Sequence, residues 1–128
     1  MKDIQGAYEE IGKYGCYFLS LLKTANKEQN ALEYYFKYLG NKWIDKECFV
    51  MNPTNILNDL HGRKFNVIRS NSYDNKASVK IACWYNPRTN YRHFVLMRDN
   101  KEVLFDSFGQ SITVKEGFIE SWRLFYLV

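Results

Sequence analysis

The sequence predicts an α+β protein in which N-terminal helices pack on an antiparallel β-sheet. Three observations carry this. Long apolar runs of helical character fill the first half, and short runs rich in β-branched and aromatic residues fill the second. The change falls just after Gly62, with no linker, repeat or low-complexity tract to divide the chain, so residues 1–128 are expected to form a single domain.

Taken in order, "CYFLSLLKTA" (16–25) is apolar almost all round, the mark of a buried helix, and Gly12 and Gly15 are expected to break whatever precedes it. "NALEYYFKYLG" (30–40) is a second helix, stopped by Gly40. "NPTNILNDLHG" (52–62) is a third: Asn52 suits the N-cap, Pro53 the first helical position and Gly62 the end. Strands follow at "FNVIR" (65–69), "SVKIACWY" (78–85), "YRHFVLMR" (91–98), "KEVLFD" (101–106) and "RLFYLV" (123–128). Residues 86–90 form a turn, with Pro87 at its second position.

Composition limits the function. Hydrophobic residues make up 46% and charged residues 25%, a globular balance rather than a disordered one. The net charge of +4 is spread without a basic run, so no specific nucleic-acid partner is expected. No apolar run is long enough for a membrane span, and "MKDIQGAYEE" lacks the apolar core of a signal peptide. The three cysteines, Cys16, Cys48 and Cys83, cannot all pair within one chain. Free thiols and a cytoplasmic location are expected. With His61 and His93 they make no C-x-x-C pair or tight cluster, and no phosphate-binding glycine loop occurs. Neither a metal nor another cofactor is expected.

"RHFVLMRDNKEVLFDSFG" (92–109) is the stretch with chemistry. A hairpin turning at Asp99-Asn100 with a two-residue loop sets Arg98 against Lys101 and His93 against Asp106, on one face with Cβ atoms about 4.5–5.5 Å apart. A four-residue loop gives the same pairing. A three-residue loop puts Ser107 opposite His93 and leaves Asp106 offset. A carboxylate that orients an imidazole is two-thirds of a catalytic triad, or a plain cross-strand polar pair. The thiol could come from Cys16, at the first turn of the buried helix, where unpaired N–H groups favour a thiolate. Gly15 beside it lets a substrate backbone approach. Cys83 is the rival: a loop over 86–90 sets Tyr85 against Tyr91 and Cys83 against His93, but a strand thiol lacks the field of a helix end. Singly, each residue has an ordinary structural role, as a core cysteine, a strand histidine or a turn aspartate.

Cys at the head of an N-terminal helix, then "HFVLM", then "VLFDSFG" with "GFIESWRLFYL" after it, resembles the papain-like cysteine peptidase superfamily, and most of all the bacterial double-glycine leader peptidases of bacteriocin export. The order and spacing match over most of the chain. The chain is also similar to an uncharacterised family of unknown function from spirochaete plasmids, through "YGCYFLSLL" and the segment Ser111 to Gly117. The first resemblance implies a papain-like fold and a cysteine peptidase or amidohydrolase working through a thioester. It makes Cys16 the nucleophile, His93 the general base and acid, Asp106 the orienting residue, and a peptide or protein the substrate. That family usually has Gln six residues before the Cys as an oxyanion donor. Here the position is Glu10, which when ionised only accepts hydrogen bonds. Gln5 lies further upstream and could serve only if the loop through Gly6 and Gly12 folds back. Tyr17 replaces the usual Gly after the Cys. The site rim would include Glu10, Tyr14, Tyr17, Cys83 and Trp84. The alternative is a catalytically inactive papain-like module that binds a protein or peptide partner through aromatics such as Tyr14, Tyr17 and Trp84.

Overall fold

The computed structural model describes residues 3–128. They form two compact units that divide between Lys64 and Phe65. The first is helical and the second is built on a five-stranded antiparallel sheet, so the chain is α+β.

In the helical unit the segment before Cys16 is itself a helix, α1 (Ile4–Tyr14), capped by Asp3, whose side chain accepts from the Gly6 N–H at 2.7 Å. Gly12 lies inside it facing open space and does not interrupt it. Ala7 and Ile11 repay the two glycines by burial. The break comes at Gly15, because of crowding: a Cβ there would meet the Ile11 carbonyl oxygen, while the Gly15 N–H donates to that same oxygen at 3.0 Å. Helix α2 (Cys16–Lys23) starts at once and buries Phe18, Ser20, Leu21 and Leu22, and none of its residues is exposed. One 3₁₀ turn leads into α3 (Ala31–Gly40), which buries Tyr35 and Tyr38. Helix α4 (Pro53–His61) has the expected ends, with Asn52 accepting from the Asn55 N–H at 3.1 Å and Gly62 in the left-handed region at φ 64°.

The sheet order is β1-β5-β2-β3-β4, from strands β1 (Phe65–Ser70), β2 (Val79–Asn86), β3 (Tyr91–Met97), β4 (Val103–Phe105) and β5 (Phe118–Leu127). A short helix, α5 (Ile112–Glu116), precedes β5. Both hairpins differ from the sequence expectation. Between β2 and β3 the loop is 87–90. Asn86 stays in the ladder opposite Tyr91, so Trp84 faces His93 and Cys83 faces Phe94. Buried Asn86 explains the choice: it accepts from the Arg88 N–H at 3.0 Å and donates to Glu116 at 3.1 Å. A one-residue change of register moves every side chain to the other face. Between β3 and β4 the Arg98 N–H donates to the Glu102 carbonyl at 2.9 Å, which makes the loop three residues, 99–101. The Asp99 side chain selects it by accepting from the Lys101 and Glu102 N–H groups.

That loop alone would turn Asp106 away from His93. A bulge reverses the outcome. Met97 pairs with Val103 but Leu96 pairs with Phe105, which leaves Leu104 as the extra residue. Continued one step, this register puts Asp106 on the face of Val95 and His93, diagonal to the histidine. The same face carries the buried cluster Ala77, Ala82, Val95, Met97, Trp122 and Leu124, flanked by Trp84, Val103 and Val114.

Candidate active site

The sheet unit brings together the imidazole and the carboxylate. His93 Nε2 lies 2.6 Å from Asp106 Oδ1, with the His93 side chain 0% and the Asp106 side chain 4% exposed. The carboxylate is held from further directions. The Phe108 N–H donates to Oδ1 at 3.0 Å, closing an Asx turn, and the Ser111 N–H donates to Oδ2 at 3.0 Å. Burial alone would raise the Asp106 pKa, but the hydrogen bonds from His93, Ser111 and Phe108 outweigh it and hold the group below its ordinary value. An ionised carboxylate only accepts, so Nε2 carries a proton and, in the neutral ring, Nδ1 is left as the basic nitrogen.

Two neighbours of this pair went unseen in the sequence. Phe108 lies parallel to the imidazole, ring centroids 4.5 Å apart and planes 7° apart, while itself about half exposed. Ser111 caps α5, accepting from the Val114 N–H, and its own N–H secures Asp106. The signal was present in "DSFGQS": an Asx-forming Asp, a Gly that reaches φ 79° and a Ser before a short helix. Beside the carboxylate a cleft of about 210 Å³ is lined by Val103, Asp106, Ser111 and Val114, with Gln110 and Lys115 at its rim. Trp84 is half-buried and stands directly opposite His93 in the ladder.

Cys83 is excluded as the partner of His93. It lies on the opposite face of β2, is buried, and burial pushes its thiol pKa up. In the helical unit Cys48 is also buried, and its thiol is pushed up by burial and then by the charges of Asp45, Cys16 and Glu10. Of the three thiols Cys16 alone is half-exposed, and it is the first residue of α2. Glu10 and Tyr14 belong to α1, and Tyr17 follows Cys16 in α2. Tyr14 is exposed and packs on Phe49 at 5.5 Å between centroids. Gln5 is misplaced for an oxyanion donor. The segment from Ile4 to Tyr14 is helix and not a loop, so at 1.5 Å per residue Gln5 lies about 15 Å along the axis from Gly15, and its exposed side chain cannot reach back.

Among the described residues no group of three His, Cys, Asp or Glu side chains could hold a metal ion. No helix among them is long and apolar enough to cross a membrane.

A family model described as a protein of unknown function, DUF261, matches residues 2–127. The chain belongs to that family. No curated protein matches the chain significantly. No solved structure does either. The buried His93–Asp106 pair is thus the chemistry that this DUF261 chain offers on its own geometry.

Proposed function

We propose that this chain is a papain-like cysteine hydrolase, a peptidase or amidase acting on a peptide or protein. One observation carries the reading: the desolvated His93–Asp106 pair, whose carboxylate is held by three donors, the imidazole and two backbone N–H groups, at 2.6–3.0 Å. In this reading the Cys16 thiol gives its proton to His93 Nδ1 and the sulfur attacks the substrate carbonyl. The Cys16 backbone N–H, at the head of α2, stabilises the oxyanion. The imidazolium, steadied by Asp106, then protonates the leaving amine. Water cleaves the resulting thioester and restores the thiol.

Iodoacetamide labelling tests this. Cys16 is expected to label faster than free cysteine at neutral pH, and His93→Ala is expected to remove the advantage. Labelling at the free-cysteine rate, unchanged by His93→Ala, would overturn the reading. A second reading, an inactive papain-like binding module, is favoured by Glu10, which cannot donate to an oxyanion when ionised, and by the remoteness of Gln5. It predicts undiminished partner binding by Cys16→Ser and no turnover of any peptide library by the unaltered chain.

A further inference from the structure

The face of the sheet away from His93 carries a cluster of charge. There Arg69 of β1 and Arg123 of β5 are partners in register, which sets their Cβ atoms about 4.5–5.5 Å apart. Like charges directly opposite one another destabilise a sheet. A charge on an edge strand such as β1 has an ordinary use, to repel other edges. That use does not call for a second arginine facing the first.

Among the described residues nothing relieves the pair. Arg69 is exposed and makes no hydrogen bond or ion pair to a carboxylate. Glu120, which a bulge in β5 sets between Ser121 opposite Cys83 and Ile119 opposite Trp84, is already committed. Arg92 of β3 donates to both its oxygens, at 2.8 and 3.1 Å. Those bonds come first in holding the Glu120 pKa below its ordinary value; burial opposes them, and the charges of Arg92, Arg69 and Arg123 add to them. Three guanidiniums therefore surround one carboxylate and leave two positive charges unmatched.

Arg123 is held in place. It is half-buried, its Nη1 donates to Ser121 Oγ at 3.1 Å and to the Trp122 carbonyl at 3.5 Å, and its guanidinium carbon lies 5.2 Å from the centroid of the Phe94 ring. Those bonds use Nη1 alone, so Nε and Nη2 still have protons to give. A guanidinium fork meets the oxygens of a phosphate two at a time, and two forks side by side match a dianion in charge and in donors.

We infer that Arg69 and Arg123 bind a phosphate dianion, as the free ion or as the end of a phosphate monoester, beside the fixed Arg92–Glu120 pair. A phosphodiester, with one charge and two oxygens esterified, fits less well. The site uses neither His93 nor Asp106 and stands apart from the hydrolase reading.

The test is a titration followed through the arginine Nε–Hε NMR signals, at about pH 8, where a phosphate monoester is a dianion, and at constant ionic strength. Inorganic phosphate is expected to move the Arg69 and Arg123 signals saturably. Arg69→Gln, an exposed change, is expected to weaken binding about ten- to a hundredfold, the loss of one charged hydrogen-bonding partner. Arg98→Gln removes an exposed charge elsewhere and should leave binding within about twofold, since distant exposed charges are screened. Tighter binding of glycerol 3-phosphate than of phosphate assigns the site to monoesters, and equal or weaker binding assigns it to the free ion. Unmoved Arg69 and Arg123 signals, equal losses in the two variants, or dimethyl phosphate bound as tightly as phosphate would each overturn the inference.

Discussion

The two histidines of the chain, one in each unit, show what a neighbour does to an imidazole. His61 ends α4 and places Nε2 2.8 Å from Thr24 Oγ1. Thr24 spends its one hydroxyl proton on the Leu21 carbonyl at 2.6 Å, so its oxygen must accept, and His61 Nε2 carries the proton. His93 makes the same bond, Nε2–H to oxygen, but to a carboxylate. The geometry is alike and the charge is not. A hydroxyl fixes a tautomer and offers nothing to an imidazolium, and burial holds the His61 pKa below its ordinary value. A carboxylate fixes the tautomer and also brings a negative charge against the ring. One arrangement joins two helices, and the other ties a strand to the turn that follows its hairpin partner.

Substitution of the two acceptors tests this comparison most severely. Asp106→Asn removes the charge from a closed site and is expected to cost about 1.5–3 kcal/mol in urea unfolding, with Cys16 labelling brought down to the free-cysteine rate. Thr24→Val should cost only about 0.5–1.5 kcal/mol. Equal losses would mean that the carboxylate is an ordinary hydrogen-bond acceptor. A smaller effect is expected at the stacked ring. Phe108→Ala should destabilise by about 1 kcal/mol through lost ring contact, and Phe108→Tyr should restore it. If Ala is silent in both unfolding and Cys16 labelling, the stack does not steady the imidazole.

Acid separates the histidines with the gentlest signal. His61 has a depressed folded pKa, so protonation favours the unfolded chain. Its contribution is whole above about 6.5 and is lost as pH falls from there through the folded value. Asp106 is also depressed, but as an acid: its contribution is whole above its ordinary value of 3.8 and is lost below it. Thermal unfolding should therefore weaken in two steps, and His61→Gln should abolish the upper one alone.

Much of this was legible in the residues. Asn52, Pro53 and Gly62 mark the ends of α4 because each does a job that no other residue does as well at that position. The helix beginning at Cys16 was visible from its unbroken apolar run. α1 was not, since Gly6 and Gly12 look like interruptions, and only the burial of Ala7 and Ile11 offsets their cost. The nearness of His93 to Asp106 was expected for a reason that proved incomplete. The loop is the three-residue form that offsets them, and the bulge at Leu104 brings them back to one face. A bulge depends on partners along the whole ladder, and five residues of local pattern do not reveal it. Cys83 was set on the wrong face by one residue, because the side-chain bonds of Asn86 to Arg88 and Glu116 lie outside any strand propensity. The stack of Phe108 on His93 is not legible in the sequence, because it depends on the turn that the Asp106 side chain closes with the Phe108 N–H.

Gly117 gives this arrangement a remote weak point. A Cβ there would strike the carbonyl oxygens of both Tyr85 and Thr113, where the chain leaves α5 and crosses β2. Any side chain would wedge the short helix off the sheet, and Ser111, anchored at the other end of that helix, would be levered from the carboxylate it secures. The aim of the imidazole is thus set in part by a residue with no side chain, eleven positions downstream of Asp106.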